Sequence, residues 1–179
     1  PLDEMKELYS YMKQCGKTTF LEVVAYTEEE CMEGAKMGVA CGVDYLLGTL
    51  YFDSINDYCK ENGMKYLPFV GTIEGRPSVL KGTMEEIIEQ GKQCLAKGVA
   101  GFDLLGYRYV GDAVELNRRF VAETPAPVVL AGSVNSYQRL DEVKAANPWA
   151  FTIGGAFFEN KFDGTFAEQI DKVVDYINK

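Results

Sequence analysis

The chain alternates between two kinds of hydrophobic pattern. Met5, Leu8, Met12 and Cys15 recur at helical spacing, so the chain is predicted to open on a helix. Six short apolar runs follow, separated by further helical segments, at residues 20–26, 44–51, 65–71, 101–107, 128–131 and 150–153. The runs do not alternate in polarity, which is typical of parallel strands covered on both faces. The pattern predicts an α/β fold with six strands and seven helices in strict alternation.

Capping signals predict where six of these helices begin. Three threonines stand three residues before a glutamate, which is the spacing of a capping box. They are Thr27, Thr83 and Thr165, and the other predicted N-caps are Asp53, Asp112 and Ser136. The segment from Gly71 to Gly82 has no comparable pattern and is predicted to be a long loop, of the kind that often covers a binding site.

Two folds fit this alternation: a doubly wound open sheet and a closed (βα)₈ barrel. The last two strand-to-helix turns favour the barrel, since strand five leads into AGSVNS at 131–136 and strand six into IGGA at 153–156. Barrels that handle phosphate bind it with the loops after strands 7 and 8, near a helix N-terminus. Glycine lets backbone N–H groups approach phosphate oxygens closely. The paired turns therefore predict a phosphate site.

Two stretches carry a resemblance to a known family. VVLAGSVNS (128–136) and FTIGGAFF (151–158), with the βα rhythm of the whole chain, resemble the ribulose-phosphate-binding barrel superfamily. That group includes sugar-phosphate epimerases, isomerases, decarboxylases and some aldolases, and its members hold phosphate with these turns. The resemblance implies that Gly132, Ser133, Gly154 and Gly155 are phosphate ligands. Asn135, in the same turn as Ser133, is included in the candidate site.

The position of the two turns also indicates which barrel strands the sequence contains. If they follow barrel strands 7 and 8, the first predicted strand is strand 3. Residues 1–179 are then expected to form a single domain, a TIM-type (βα)₈ barrel consisting of strands 3 to 8. The first strand-helix-strand unit, on the order of 50 residues, would be absent from the sequence. The alternative is a genuine six-stranded open α/β sheet.

Composition narrows the chemistry. The formal net charge is −9, and histidine is absent. Nucleic-acid binding is not expected, because it needs a basic face, but an acidic protein can still bind one small anion through a few positive groups. Without histidine, a Ser-His-Asp triad and an imidazole zinc site are excluded within these residues. Proton transfer would use Glu, Asp, Lys, Tyr or Cys, and no metal or other cofactor is predicted.

The same sequence features set expectations for location and partners. No apolar run reaches the roughly 18–20 residues that span a bilayer, and no signal peptide is evident, so a cytoplasmic protein is expected. The five cysteines form no CxxC pair and are interpreted as small buried apolar side chains of a reducing compartment. The expected partner is a small phosphorylated substrate, with no nucleic acid and no membrane, and a homodimer is left open.

Two carboxylates lie inside predicted apolar strands. Glu22 stands in FLEVVAY and Asp103 in GFDLLGYRY. A carboxylate there is costly to bury unless it is paired or faces the barrel mouth, and burial would raise its pKa toward the range useful for acid–base catalysis. Both are candidate catalytic residues. The alternative for Glu22 is a structural role beside a buried lysine or arginine.

Three cations are candidates for binding an anionic substrate. Arg76 and Lys81 lie in the predicted loop, where glycines can act as hinges of a covering segment. Arg108 follows the fourth predicted strand. The alternative for each is a solvated surface charge.

Together these features predict an enzyme that acts on a small phosphorylated sugar or related metabolite. It would be an isomerase or epimerase, or a carbon–carbon lyase, and would abstract a proton next to a carbonyl through Glu22 and Asp103. The alternative is a non-catalytic barrel that binds or senses a phosphorylated metabolite, because fold analogy does not separate the two.

Overall fold

A computed structural model of the chain describes residues 2–179. Its strands are β1 (Phe20–Ala25), β2 (Tyr45–Thr49), β3 (Lys65–Leu67), β4 (Thr72–Glu74), β5 (Val79–Lys81), β6 (Phe102–Leu104), β7 (Val128–Leu130) and β8 (Ala150–Phe151). Its helices are α1 (Leu2–Gln14), α2 (Glu28–Cys41), α3 (Asp53–Glu61), α4 (Met84–Ala96), α5 (Ala113–Glu123), α6 (Tyr137–Ala146), α7 (Gly155–Phe158) and α8 (Phe166–Ile177). A short 3₁₀ turn, Gly106–Arg108, follows β6.

Six of the strands are parallel, and their order in space is their order in the chain. β1, β2 and β3 form one set and β6, β7 and β8 another. A parallel bridge between Phe69 and Asp103 connects the two sets just beyond β3. A doubly wound sheet reverses its strand order at a switch point, whereas a barrel adds each strand beside the last. The sequential order therefore confirms the TIM-type barrel architecture and excludes the doubly wound alternative.

Apolar side chains pack on both sides of these strands. One large cluster lies between the strands and the surrounding helices. A smaller one lies on the other face, where Leu47, Leu67 and Val129 are buried together. Trp149, just before β8, contacts the rings of Phe20 and Tyr45, with centroids 6.0 and 5.4 Å apart. The first and last parallel strands thus approach each other at their N-terminal ends, as the curvature of a barrel requires.

Most of the predicted helix starts are confirmed. The capping boxes of Thr83 and Thr165 are complete, and Asp112 and Ser136 each accept a hydrogen bond from a backbone N–H of the first turn. The prediction for Asp53 is wrong, because α3 begins at Asp53 itself and its carboxylate binds Tyr51 and Lys97 instead. The box of Thr27 is half formed: its hydroxyl accepts from Glu30 N, but Glu30 accepts from Tyr26 N.

Two elements differ from the predicted alternation. The segment predicted as a loop contains an antiparallel hairpin, in which Thr72 pairs with Lys81 and Glu74 with Val79. A short helix, α7, follows β8, so the described chain has eight α-helices rather than seven. Four cysteines are buried as predicted, but Cys15 is exposed at the end of α1. Within the described residues, no helix is both long enough and apolar enough to span a bilayer.

Candidate active site

A cavity of about 330 Å³ opens at the C-terminal ends of the parallel strands. This is the lower end of the size range of small-molecule sites. The two turns predicted to bind phosphate contribute Gly132, Ser133, Val134, Asn135, Gly154, Gly155 and Ala156. The other lining residues are Glu22, Val24, Phe69, Ser78, Leu105, Arg108, Thr152, Ile153 and Glu159. Seven of the ten predicted site residues thus meet in one cavity.

The two glycine-containing turns present free backbone donors. No N–H group from residue 132 to 135, or from 154 to 156, donates a hydrogen bond within residues 2–179. Gly132 has a φ of +80° and Ser133 a φ of +57°. A non-glycine residue in the left-handed region is uncommon, and such conformations concentrate at ligand sites. The turns therefore have the free N–H groups that an anion needs.

Arg108 lies directly against the first of these turns. Its side chain occupies the space beside Gly132, where a Cβ would lie 2.9 Å from the arginine Nε and 3.0 Å from its Cδ. The guanidinium makes one long hydrogen bond, 3.5 Å from Nη1 to the carbonyl oxygen of Ser78. No carboxylate of the described chain lies within 4.0 Å of it, because every salt bridge there involves other cations. A guanidinium free of carboxylates beside free N–H groups is well suited to bind phosphate.

Glu22 faces the cavity because of an irregularity in its strand. Glu22 pairs with Leu47 and Ala25 with Thr49, so β1 has one residue more than β2 in this stretch. Gly48, with a φ of +83°, makes room for the glutamate, since a Cβ there would lie 2.8 Å from Glu22 Cγ. Bulges commonly redirect a side chain next to an active site.

Glu22 is an exposed residue of β1 that lines the cavity. Partial desolvation of its carboxyl by the surrounding protein raises its pKa above the ordinary value, and the charge of Arg108 partly opposes the rise. A glutamate with a raised pKa that reaches a cavity is a candidate acid or base.

Asp103 lies beside the cavity but does not line it. The residue is 1% exposed, and neither carboxylate oxygen has a hydrogen-bond partner within the described chain. Burial, and then the charge of Glu22, raise the pKa of Asp103 well above its usual range, with weak opposition from the backbone of Gly48. The cavity is lined instead by Phe69, which forms the β-bridge with Asp103, and by Leu105, two residues after Asp103. The raised pKa favours the protonated form of Asp103, and of these two carboxyls Glu22 is the one that lines the cavity.

The two cations predicted on the loop lie outside the cavity. Lys81 pairs with Glu74 across the hairpin at 2.6 Å. The Nη2 of Arg76 donates to the carbonyl oxygen of Val24 at 3.2 Å, and the guanidinium lies 5.2 Å from the centre of the Tyr26 ring. Lys81 thus pairs within the hairpin, and Arg76 connects the hairpin to β1. Tyr26 strengthens this attachment through its hydroxyl, which bonds Gly75 O and Ser78 Oγ.

Several lining residues were not among the predicted ones. Ser78 is buried at the hairpin, and Thr152 follows β8. Glu159 lies at the rim and pairs with Lys161 at 3.4 Å. A position just after a parallel strand would have indicated Thr152, but Ser78 reaches the cavity only because its segment folds into a hairpin. No cluster of three or more His, Cys, Asp or Glu side chains in residues 2–179 could hold a metal ion.

Comparison with known proteins identifies the fold. No family model and no curated protein matches the sequence. Among solved structures, N-(5'-phosphoribosyl)anthranilate isomerase from Pyrococcus furiosus is 14% identical with a TM-score of 0.65, over 99% of this chain and 80% of the isomerase. N-acetylmannosamine-6-phosphate 2-epimerase from Clostridium perfringens is 14% identical with a TM-score of 0.53, over 99% and 86%. A structure of native KDPGal is 11% identical with a TM-score of 0.55, over 82% and 62%.

These similarities establish the architecture. The three neighbours are TIM barrels, so the fold predicted from the sequence is confirmed. At 11% to 14% identity they do not assign an activity to this chain. Six of the similar structures are longer chains, of which this one spans 47% to 64%.

Proposed function

We propose that the chain is an enzyme that acts on a small phosphorylated metabolite, as an isomerase, epimerase or carbon–carbon lyase. One observation carries the proposal: a carboxyl with a raised pKa, Glu22, shares a cavity with a carboxylate-free arginine and two turns of free N–H groups. The fold neighbours named for an isomerase of a phosphoribosyl compound and an epimerase of a sugar phosphate support the same class of substrate.

In this proposal, the phosphate binds where Arg108 meets the turns at Gly132–Asn135 and Gly154–Ala156. Binding energy from this non-reacting group positions the rest of the molecule against Glu22. Glu22 removes a proton from the carbon next to a carbonyl and holds it as a carboxylic acid while the enediolate exists. It then returns the proton to the neighbouring carbon, and the hydroxyl proton of the substrate moves to the former carbonyl oxygen, which completes an isomerisation.

Asp103 decides which carboxyl is the base. Two coupled carboxyls do not both ionise readily in a buried place, and their environments push their pKa values apart. Asp103 is the more buried and its pKa is raised well above its usual range, so Asp103 holds its proton more tightly and Glu22 is the carboxyl that ionises first. Asp103 is thus proposed as the protonated partner of the base, not as a second group in contact with the substrate.

Phosphate binding is tested by calorimetric titration of the protein with inorganic phosphate. Replacing Arg108 by alanine removes the guanidinium beside the turns and should weaken binding about tenfold or more, since hydrogen bonds to charged groups contribute about 1.5–3 kcal/mol. Lys81→Ala is the matched control, because Lys81 pairs with Glu74 away from the cavity, and should leave the affinity unchanged. Equal losses in the two variants would contradict the proposed site.

Proton abstraction is tested separately by incubating the protein with sugar phosphates in D₂O. Nuclear magnetic resonance should show deuterium entering the carbon next to the carbonyl of a substrate, and Glu22→Gln should abolish this exchange while phosphate still binds.

A barrel that only binds a phosphorylated metabolite is the second candidate. The separation of Asp103 from the cavity favours it, because Glu22 then faces the ligand without the second carboxyl predicted to exchange protons with it. Phosphate binding without exchange in any sugar phosphate would support this second function over the first.

A further inference from the structure

The cavity is lined by one cation, Arg108, and two carboxylates, Glu22 and Glu159. Arg108 is the one cation among its lining residues, and its guanidinium lies beside Gly132 at the proposed phosphate turn. Three nearby cations already have partners: Lys161 pairs with Glu159 at the rim, Lys81 pairs with Glu74 across the hairpin, and Arg76 donates to the carbonyl oxygen of Val24. Once a phosphate occupies Arg108, the described part of the chain offers no second positive group to a ligand.

Besides Arg108 and the two turns, the lining contributes the Glu22 carboxyl and the apolar side chains of Phe69 and Leu105. Asp103 lies beside this lining without contributing to it, and the charge of Glu22 opposes its ionisation. The charge of Arg108 acts on Glu22, but a bound phosphate engages that guanidinium. A second negative group brought beside Glu22 would then face its carboxylate with no further cation in the lining, and like charges brought together in a binding site disfavour binding.

We infer that the ligand is a phosphate monoester whose other end is uncharged, that is, a phosphorylated sugar or sugar alcohol and not a phosphorylated sugar acid. The inference rests on the proposed phosphate site and adds the substrate class. Rejection comes mainly from Glu22, so the residue proposed as the base is also the residue that determines specificity. The hydroxyl or carbonyl of an uncharged end can hydrogen-bond with Glu22, whereas a carboxylate there is repelled.

The test compares two open-chain compounds that differ at one carbon. Glucitol 6-phosphate ends in an alcohol and 6-phosphogluconate in a carboxylate, and their phosphate ends are the same. Calorimetric titration of the 179-residue protein at neutral pH should give about tenfold or more weaker binding for 6-phosphogluconate, as expected for opposing charges a few ångströms apart in a partly buried site. In Glu22→Gln the ratio of the two dissociation constants should approach one.

A matched variant identifies the responsible carboxylate. Glu159→Gln removes a charge from the same cavity, but at the rim near Gly155, on the phosphate side. It should change the affinities of both compounds alike and leave their ratio as in the unaltered protein. Equal binding of the two compounds by the unaltered protein, or tighter binding of 6-phosphogluconate, would overturn the inference while leaving the phosphate site intact. Failure of both compounds and of inorganic phosphate to bind would overturn the proposed function itself.

Discussion

At the scale of single residues, Gly132 meets two requirements at once. Its φ of +80° would be strained for a residue with a side chain. Its lack of a Cβ also leaves the space that the Arg108 side chain occupies. The sequence indicated a glycine that brings backbone close to phosphate. The structure adds that the same glycine lets an arginine lie beside the turn.

A pair of alanine substitutions separates these two requirements. Gly132→Ala and Gly16→Ala both place a side chain at a positive φ, +80° and +71°, but nothing lies within 4 Å of the Cβ at residue 16. Both should lower the free energy of unfolding by about 1–3 kcal/mol through backbone strain. Inorganic phosphate affinity, measured by calorimetry, should fall in Gly132→Ala alone, because only there is Arg108 displaced. A comparable loss in Gly16→Ala would show that phosphate affinity merely follows stability.

Asp103 should make stability depend on pH. Its pKa is raised in the folded protein, so the native state binds its proton more tightly than the unfolded state does. The stability associated with this proton is complete below the unfolded pKa of about 3.9 and is lost as pH rises toward the folded pKa. Asp103→Asn cannot ionise and escapes this loss.

Thermal melts should therefore show a Tm for Asp103→Asn that exceeds that of the unaltered protein by a margin that widens from pH 5 to pH 8. Glu22 remains in both proteins, so its own titration contributes to both melting curves. A constant or shrinking margin would show that Asp103 is not the group responsible.

At the scale of elements, local signals predicted what local interactions determine. Threonine three residues before glutamate correctly marked the starts of α4 and α8, because a capping box is complete within one helical turn. The β4–β5 hairpin was missed because each strand has three residues and is held by distant partners. Asp103 was placed in the correct strand, but its separation from the cavity depends on Phe69, which is 34 positions away in the sequence. Lys81 and Arg76 also lie outside the predicted site, because contacts with Glu74 and with the backbone of Val24 hold them elsewhere.

The hairpin should be held by Tyr26 more than by its own pairing. The Tyr26 hydroxyl contacts Gly75 O at 3.1 Å and Ser78 Oγ at 2.6 Å. Tyr26→Phe removes both contacts. The free energy needed to open the hairpin locally should fall by about 0.5–1.5 kcal/mol per lost bond. Hydrogen exchange of the amides in residues 72–81 should become several-fold faster. Tyr11→Phe removes a hydroxyl from an exposed ring on α1 and should leave that exchange unchanged. Unaltered protection in Tyr26→Phe would show that the hairpin is held by its other contacts.

At the scale of the whole molecule, the two ends of the strands have different compositions. The C-terminal ends bear the free N–H groups, Arg108 and Glu22. The N-terminal ends bear three aromatic rings, of which Phe20 and Tyr45 stack at 4.7 Å and Trp149 packs on both. In TIM-type barrels, the C-terminal face carries the active site and the N-terminal face carries stability. Because this contact joins the first and last parallel strands, it stabilises the curvature on which the opposite face depends.

Trp149 is the single tryptophan and allows these two faces to be tested independently. Trp149→Leu removes two aromatic contacts, each of which contributes about 0.5–1.5 kcal/mol beyond the burial of apolar area. The free energy of unfolding should therefore fall by about 1–3 kcal/mol. In a chain of this size that lowers Tm by roughly 2–4 °C per kcal/mol. The affinity for inorganic phosphate at the opposite face should stay the same under conditions where the variant is folded. Tyr11→Leu, at an exposed ring that stacks on no other aromatic side chain of the described chain, should change neither quantity. A Trp149→Leu variant with unchanged Tm and weakened phosphate binding would contradict the division, because the N-terminal face would then act on the site rather than on stability.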